Sequence, residues 1–341
     1  MTTKKKIASL EFARIIAMLA IIGLHCQMAL SYWQWGEVPW VGYIINQMSR
    51  FAVPLFFLIS GYLIQPKLST NPIKTLKSYA KPLIRIWVVW SVICLVVPFR
   101  WQTVYEVGYL AERQGYWDYL MQSPINSLLE GGLVHLWFLP ALLIAVTLIA
   151  FLVKAGQSRL LLPIALLFYV YGVLAGSYST LTELPAPFFT RNGPFFSTLL
   201  VVLGYLAREK QWQWSGSKAL LLMVIGLGLH FAEANRLMQH NVMFNTHDFL
   251  FGTVIWSLGI FMWLLANPNF GNMSWVHKWS PSVLGIYVSH LLVVIIMMNV
   301  AGILLLQGLV NDVFIYSTTI IATLLLVKSI EASPLRKLLL R

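Results

Sequence analysis

Ten long apolar stretches run through the 341-residue chain, and they restrict its fold more than any other feature. A helix needs about 20 apolar residues to cross about 30 Å of hydrocarbon, where no water can satisfy an exposed backbone. Charged residues make up 11% of the sequence, against about 25% in soluble domains. We therefore predict an all-α, polytopic membrane protein with about ten transmembrane helices in one bundle, forming a single domain over residues 1–341. The predicted spans are roughly 7–30, 40–65, 82–99, 135–153, 160–178, 193–207, 218–235, 248–266, 281–300 and 302–327.

Lysines and arginines are distributed unevenly between the predicted loops. If the N-terminus is cytoplasmic, 18 of them fall in cytoplasmic segments and four in outer ones, as the positive-inside rule requires. The cytoplasmic set includes Lys4, Lys5, Lys6 and Arg341, and the outer set is Arg100, Arg113, Arg191 and Arg236. We therefore predict that both termini are cytoplasmic. The net charge of +12 reflects this topology and anionic lipid headgroups, so nucleic acid need not be invoked.

The longest predicted outer loop covers about 100–134. It is rich in aromatic and polar residues, so we predict a small lid or re-entrant segment over an outward-facing site. Cys26 and Cys94 both lie in apolar stretches and are predicted to be small core residues without a disulfide.

The first apolar stretch, "EFARIIAMLAIIGLHCQMAL", contains three groups that hydrocarbon disfavours. On a helix, Glu11, Arg14 and His25 fall within an arc of about 60° and so share one face. Arg14 would lie about 10 Å above the cytoplasmic start of the helix, and His25 about 27 Å above it. A single intramembrane histidine is often only a hydrogen-bonding partner between helices, and Arg14 is equally suited to pair with Glu11.

The second apolar stretch, "WVGYIINQMSRFAVPLFFLISGYLIQ", runs in the opposite direction, and its polar residues match those depths. Ser60 and Gly61 lie within about 9 Å of its cytoplasmic end, and Arg50 lies about 24 Å up, level with His25. Pro54 lacks an N–H, which frees a backbone carbonyl between the two levels. Each charged group costs about 2.5 to 3.5 kcal/mol in a span, so four ionisable groups on consecutive spans favour a functional site.

Later spans carry weaker candidates. His135 in "GGLVHLWFLPALL" begins the fourth predicted span, and His290 in "LGIYVSHLLVV" lies near mid-membrane. For each histidine, a structural role in helix capping or core packing is as well supported as a role in a functional site.

Two further sets of polar residues lie around the end of the seventh predicted span. His230, Glu233 and Arg236 follow helical spacing, which favours a solvated network at an outer helix end. His240, His247 and Asp248 follow in the next loop, where a metal site is the less favoured interpretation.

The chain has no GxSxG, HExxH, P-loop, GxGxxG or HxxxxD pattern, which disfavours a nucleophile elbow, zinc chemistry and nucleotide hydrolysis.

Over nearly its whole length the chain resembles one family, the integral-membrane acyltransferase family 3 of glycan O-acyltransferases. "LEFARIIAMLAIIGLH" is similar to the first-span signature, in which an arginine and a histidine are separated by ten residues, as Arg14 and His25 are. "SRFAVPLFFLISGYL" resembles the second-span signature, and "HLWFLPALL" and "LGIYVSHLLVV" resemble later stretches. Glu11 stands where members more often have Asp. No hydrolase-like domain is attached, which suggests a standalone member.

This resemblance implies transfer of an acyl group, usually acetyl, from cytoplasmic acyl-CoA to a hydroxyl of a cell-envelope glycan or undecaprenyl-linked glycan. The expected location is the bacterial inner membrane, the expected donor is acetyl-CoA, and no metal is expected. The resemblance also implies that His25 is catalytic and that Arg14 and Arg50 are essential.

The chemistry of such a transfer agrees with the estimated depths. A sugar hydroxyl needs a base with a pKa near 7, which imidazole supplies, so His25 is the predicted base. Arg50 is predicted to stabilise the thioester oxygen, and Glu11 completes the predicted catalytic set. The residues predicted to hold the phosphates and the pantetheine arm of coenzyme A are Arg14, Lys81, Arg85, Ser60 and Gly61. Those predicted to contact the acceptor are His135, Trp137 and His290.

Two other functions remain open at this stage. A secondary transporter or lipid-linked glycan flippase would also keep charges in its spans, although no internal repeat is visible. A noncatalytic membrane partner of a glycan-synthesis complex has less reason to keep His25 and Arg50 in hydrocarbon. The sequence does not choose among O-antigen, enterobacterial common antigen, capsule and periplasmic glucan, nor between acetyl and succinyl.

Overall fold

A computed structural model describes residues 7–340 of the chain. Lys4, Lys5, Lys6 and Arg341, which contribute to the predicted cytoplasmic charge, lie outside the described residues. Across residues 7–340 the chain forms α-helices, short 3-10 segments and one isolated β-bridge between Trp35 and Val38. The predicted all-α class is therefore confirmed.

The α-helices are, in chain order, α1 (Ala8–His25), α2 (Trp40–Met48), α3 (Ala52–Thr70), α4 (Pro72–Val96), α5 (Trp101–Val107), α6 (Tyr109–Met121), α7 (Pro124–Glu130), α8 (Phe138–Lys154), α9 (Leu161–Leu174), α10 (Ser179–Thr182), α11 (Pro194–Glu209), α12 (Gly216–Met238), α13 (Phe251–Ala266), α14 (Ser274–Trp279), α15 (Val283–Ile303), α16 (Gly308–Ala332) and α17 (Arg336–Leu339). The 3-10 segments precede α3, α8, α9 and α15, at Ser49–Phe51, Val134–Trp137, Ser158–Leu160 and Ser280–Ser282.

Seven helical segments within residues 7–340 are long and apolar enough to cross a membrane. They are Ala8–His25, Trp40–Thr70, Pro72–Val96, Val134–Lys154, Gly216–Met238, Ser274–Ile303 and Gly308–Ala332. Ser158–Leu174 and Phe251–Ala266 are shorter apolar helices, and α11 coincides with the remaining predicted span. The polytopic membrane class is confirmed, while the count of ten crossings and the cytoplasmic termini stay predictions.

Several helix ends differ from the predicted ones. α1 ends at His25 and not near residue 30, because residues 26–39 form turns. α4 begins at Pro72, well before the predicted residue 82, since lysine-rich turns outside hydrocarbon are still good helix formers. The backbone tightens into a 3-10 turn at Ser49–Phe51, where Pro54 cannot donate to the carbonyl of Arg50.

The helices group into two compact units, which are described separately. The first unit contains residues 7–21, 47–77 and 141–283, and the second contains Ile22–Asn46, Ser78–Pro140 and residues 284–340. The division falls inside α1, so Glu11 and Arg14 belong to the first unit and His25 to the second. That both units act as the single predicted domain stays a prediction.

α11 lies at the core of the first unit. Every residue from Phe195 to Ala207 is buried, which is the position expected of a helix that is apolar all round. A Cβ atom at Gly204 would overlap the carbonyl group of Leu58 on α3, so only glycine lets these two helix backbones approach this closely.

In the second unit the predicted outer loop, 100–134, folds into α5, α6 and α7. Glu112 accepts hydrogen bonds from the backbone N–H groups of Phe99 (3.0 Å) and Arg100 (3.2 Å). Burial opposes the charged form of Glu112, but the Arg113 guanidinium and these N–H groups outweigh it and lower the pKa of the carboxyl. The loop is thus anchored at the end of α4, and its role as a lid stays a prediction.

Candidate active site

Three histidines from separate parts of the sequence meet in the second unit. His25 is the last residue of α1, His290 lies on α15, and His135 lies in the 3-10 turn before α8. The ring centroids of His25 and His290 are 5.2 Å apart, and those of His135 and His290 are 5.0 Å apart. His135 and His290 are buried and His25 is half-buried. We call these three residues the histidine cluster.

Backbone carbonyl groups fix the tautomers of the two buried rings. His135 Nε2 donates to the carbonyl of Val288 at 3.0 Å, and His290 Nδ1 donates to the carbonyl of Tyr287 at 2.6 Å. A carbonyl can only accept, so the opposite nitrogen of each neutral ring carries a lone pair. His135 Nδ1 and His290 Nε2 are buried and have no hydrogen-bond partner among residues 7–340. The cluster therefore offers two lone pairs to a hydroxyl or a water molecule.

Tyr287 joins the two buried histidines. It lies one helical turn from His290 on α15, and its hydroxyl donates to the backbone carbonyl of His135. This bond holds the 3-10 turn of His135 against α15. Sequence reasoning missed Tyr287, although its i,i+3 spacing from His290 was a usable signal. Trp137 follows in the same turn and is half-buried, and its contact with an acceptor stays a prediction.

The histidine cluster suits proton transfer better than metal binding. Within residues 7–340, no group of three or more His, Cys, Asp or Glu side chains could hold a metal ion. A neutral imidazole with a free lone pair can take a proton from a hydroxyl and later return it. The backbone partners of His135 and His290 keep these two rings in a fixed orientation.

Arg50 lies in the first unit, in a charged cluster that we call the arginine cluster. Its Nη1 is 2.7 Å from Asp248 Oδ1, and its Nη2 donates to the carbonyl of Asn245 at 3.2 Å. Arg191 Nη1 contacts the other oxygen of Asp248 at 3.1 Å. Burial opposes the charged form of Asp248, but Arg191 and Arg50 outweigh it and lower the pKa of the carboxyl.

His247 precedes Asp248 in this loop and is also buried. Burial, and secondarily the charge of Arg50, lower the pKa of His247 to about 4, so the ring is neutral at physiological pH. Its carboxylate neighbour is already engaged by two arginines, and the less favoured metal interpretation gains no support from the described residues.

The prediction of a solvated network around His230 is wrong. His230 is buried, with Nδ1 2.9 Å from Thr253 Oγ1 and Nε2 2.9 Å from Gln47 Oε1. Glu233 accepts from the backbone N–H groups of Gly252 (2.6 Å) and Phe251 (3.2 Å), the first residues of α13. Glu233 faces α13 because its carboxylate satisfies free N–H groups at the helix start.

Glu11 and Arg14 also belong to the first unit. Glu11 Oε2 is 2.9 Å from His277 Nδ1, and His277 Nε2 is 2.8 Å from Asn272 Oδ1. Arg14 is half-buried one turn further along α1. The structure thus adds His277, which sequence reasoning missed, as a partner of Glu11, and the catalytic role of Glu11 stays a prediction.

Gly61, which is predicted to hold the pantetheine arm, lies where α3 packs closely against α11. A Cβ atom there would overlap the carbonyl of Val201 on α11, so the glycine is explained by close helix packing. The predicted role of Gly61 in holding the pantetheine arm stays a prediction. Ser60 is half-buried, and its role stays a prediction.

Lys81 and Arg85 lie on α4 in the second unit. Lys81 is exposed, and Arg85 Nη2 donates to the carbonyl of Leu340 at 3.4 Å. Arg85 Nε is buried and has no hydrogen-bond partner among the described residues. An anionic group could accept from this N–H, as the predicted role in donor binding requires.

Comparison with known proteins identifies the class to which this site belongs. The model of the acyltransferase domain of acyltransferase family 3 matches residues 7–328, and the chain belongs to this family. The match includes all three residues of the histidine cluster and both arginines predicted to be essential. No solved structure matches the chain.

The curated relatives carry other names. An amino-acid racemase of Enterococcus faecalis is 28% identical over 217 residues, which are 60% of this chain and 28% of the relative. A serine/alanine racemase of Enterococcus gallinarum is 26% identical over 230 residues, 63% of this chain and 31% of the relative. A second amino-acid racemase of Enterococcus faecalis is 22% identical over 316 residues, 87% of this chain and 42% of the relative. The chain thus spans less than half the length of these relatives.

Proposed function

We propose that this protein transfers an acyl group, acetyl in the simplest case, from cytoplasmic acyl-CoA to a hydroxyl of a cell-envelope glycan or undecaprenyl-linked glycan. The observation that carries the proposal is the histidine cluster, in which His25 contacts His290 and two buried rings keep lone pairs without partners. Membership in an acyltransferase family supports the reaction type. Such a protein would act in the bacterial inner membrane.

In the proposed reaction, His25 is the general base. The acceptor hydroxyl gives its proton to the imidazole while its oxygen attacks the thioester carbonyl carbon. The C–S bond then breaks, the ester forms, and the coenzyme A thiolate takes the proton back from the imidazolium. His290 and His135 accept hydrogen bonds from the acceptor and orient it, which is consistent with their fixed tautomers.

The acyl donor carries the phosphates of coenzyme A, which cationic side chains must bind. Arg85 supports this role in the second unit, because its buried Nε–H lacks a protein partner among residues 7–340 and Lys81 is exposed four residues away. Guanidinium groups suit phosphate because their planar fork pairs with two oxygens.

Transport is the second candidate function, because a transporter or flippase would also keep charged side chains in its spans. Two relatives are named as an amino-acid racemase and a serine/alanine racemase, so an amino acid is one small polar molecule to test as the cargo. A transporter or flippase has no need to bind acyl-CoA. Binding of acyl-CoA to the purified protein therefore separates the two candidates.

The test of acyl transfer measures acetyl esters on envelope glycans by mass spectrometry in a deletion strain that expresses each variant at matched level. We expect His25→Ala to lower incorporation by about 10² to 10⁴, the usual contribution of acid-base groups. His25→Gln should fail equally, because an amide cannot take up the proton. His240→Ala is the matched control, since His240 is exposed and outside the cluster. Near-normal incorporation by His25→Ala would exclude the mechanism.

A further inference from the structure

The chain leaves α1 through a strained turn directly after His25. Gln27, Ala29 and Trp33 adopt left-handed backbone conformations, with φ of 52°, 57° and 53°. Residues with a Cβ atom disfavour this region, so the surrounding structure must hold the turn in place. The contacts that hold this turn also fix the end of α1, and with it the backbone of His25.

A buried carboxylate from the far end of the sequence holds this turn. Asp312 Oδ2 accepts from the backbone N–H of Ala29 at 2.6 Å and from the Tyr32 hydroxyl at 2.7 Å. Its other oxygen accepts from Asn311 Nδ2 at 3.2 Å. Asp312 is 5% exposed and lies on α16.

The hydrogen-bond partners of Asp312 are lasting donors. Burial and the Asp312 carboxylate raise the pKa of Tyr32 to about 12, so its hydroxyl stays protonated and remains a donor. The opposite side of Ala29 is also fixed, because a Cβ atom at Gly42 on α2 would overlap the Ala29 carbonyl. The turn is therefore held between α2 and α16, with little freedom to rotate.

We infer that Asp312 is a positioning residue for His25: its carboxylate fixes the turn at Ala29 and Tyr32 and so sets the orientation of the imidazole. Asp312 does not touch the reacting atoms in this scheme. The inference rests on the proposed catalytic role of His25, and it adds a requirement that the family signatures in α1 and α3 do not contain. The group that orients the imidazole is more than 280 residues away in sequence.

The experiment has two readouts on the full-length protein in membranes. The first is the rate at which diethyl pyrocarbonate modifies His25, measured by peptide mass spectrometry, which requires no acyl transfer. The second is the dependence of transfer rate on acetyl-CoA concentration. We expect Asp312→Ala to change the His25 modification rate at least threefold and to lower kcat about tenfold, with KM for acetyl-CoA unchanged.

Conservative and control variants separate positioning from folding. Asp312→Asn keeps an oxygen for both donors and should restore most of kcat, whereas Tyr32→Phe removes one donor and should lower kcat about threefold. Tyr32→Phe also serves as the test if Asp312→Ala fails to accumulate. Ser317→Ala changes an exposed residue of the same helix and should leave both readouts unchanged.

Two results would overturn the inference. One is a His25 modification rate in Asp312→Ala, or in Tyr32→Phe, that equals that of the parent protein. The other is an equal loss of kcat in Asp312→Ala and Asp312→Asn. If the parent protein transfers no acetyl group but the modification rate still depends on Asp312, then the proposed function fails and the positioning of His25 stands.

Discussion

The histidine cluster of the second unit and the arginine cluster of the first unit differ in the partners of their buried polar side chains. In the histidine cluster, backbone carbonyls accept from one nitrogen of each of the two buried rings, and the opposite nitrogens are left without partners among residues 7–340. In the arginine cluster, charges of opposite sign contact each other, and Asp248 accepts from two guanidinium groups, while Asn245 Oδ1 and His247 Nε2 beside it are buried without a hydrogen-bond partner among residues 7–340. A buried acceptor without a donor is costly, so it indicates a place where a ligand binds. Charges that satisfy each other indicate a framework.

Of the substitutions that compare the two clusters, the largest effect should follow from removing His290, although it should not exceed the effect of His25→Ala. We expect His290→Ala to lower acyl transfer about 10²-fold, the lower end of the range for acid-base groups, because the acceptor loses its orienting nitrogen. The measurement is acetyl incorporation at matched protein level, with His240→Ala as the control. If His290→Ala transferred acetyl at the parental rate, the unpartnered nitrogen would have no part in the reaction.

A smaller effect is expected from Arg50→Lys, which tests whether the arginine cluster is only a framework. Arg50 uses Nη1 for Asp248 and Nη2 for the carbonyl of Asn245, and a lysine ammonium cannot reproduce both bonds with the same geometry. If the cluster is only a framework, we expect the free energy of unfolding to fall by about 1.5 kcal/mol, as for one lost hydrogen bond to a charged group, and transfer at matched protein level to fall by at most about tenfold. A loss as large as that of His25→Ala would instead support the predicted direct contact of Arg50 with the thioester oxygen.

Asp248→Ala should act on stability more than on chemistry. It removes the carboxylate that both arginines contact, and we expect a loss of about 1 to 3 kcal/mol, because the pair is neither fully buried nor fully exposed. The midpoint of thermal unfolding in detergent measures this effect. Asp118→Ala, at an exposed position, is the control and should leave the midpoint unchanged. An unchanged midpoint for Asp248→Ala would show that the arginine cluster does not stabilise the first unit.

The smallest effect concerns pH. The folded-state pKa of His247 is about 4, below its ordinary value of about 6.5, so the folded protein keeps this ring neutral where the unfolded chain already binds a proton. The contribution of His247 to stability is therefore complete above pH 6.5 and is lost as the pH falls toward 4. We expect His247→Gln to reduce the drop in unfolding midpoint between pH 7 and pH 5. Identical drops in the variant and the parent protein would contradict the lowered pKa.

Both the fold class and the family could be predicted from local patterns. Apolar stretches of sufficient length must become helices in hydrocarbon, and each predicted span coincides with a helical segment. Arg14 and His25 were found because a ten-residue separation on one helix is itself a local pattern. Helix ends were less predictable: α1 ends at His25 and is followed by a turn in which the N–H of Ala29 donates to Asp312, and nothing near residue 25 indicates that contact.

What the sequence determined by itself was a polytopic helical membrane protein with the motifs of an acyltransferase, because length, hydropathy and helical spacing are properties of neighbouring residues. The tertiary structure alone decided which polar groups meet. It brought His135 and His290 to His25, gave Glu11 a partner in His277, turned Glu233 toward α13 and filled the open face of Gly61 with α11. Each of these contacts joins residues far apart in the chain, and side-chain partners at such separations depend on helix packing, which no local pattern specifies.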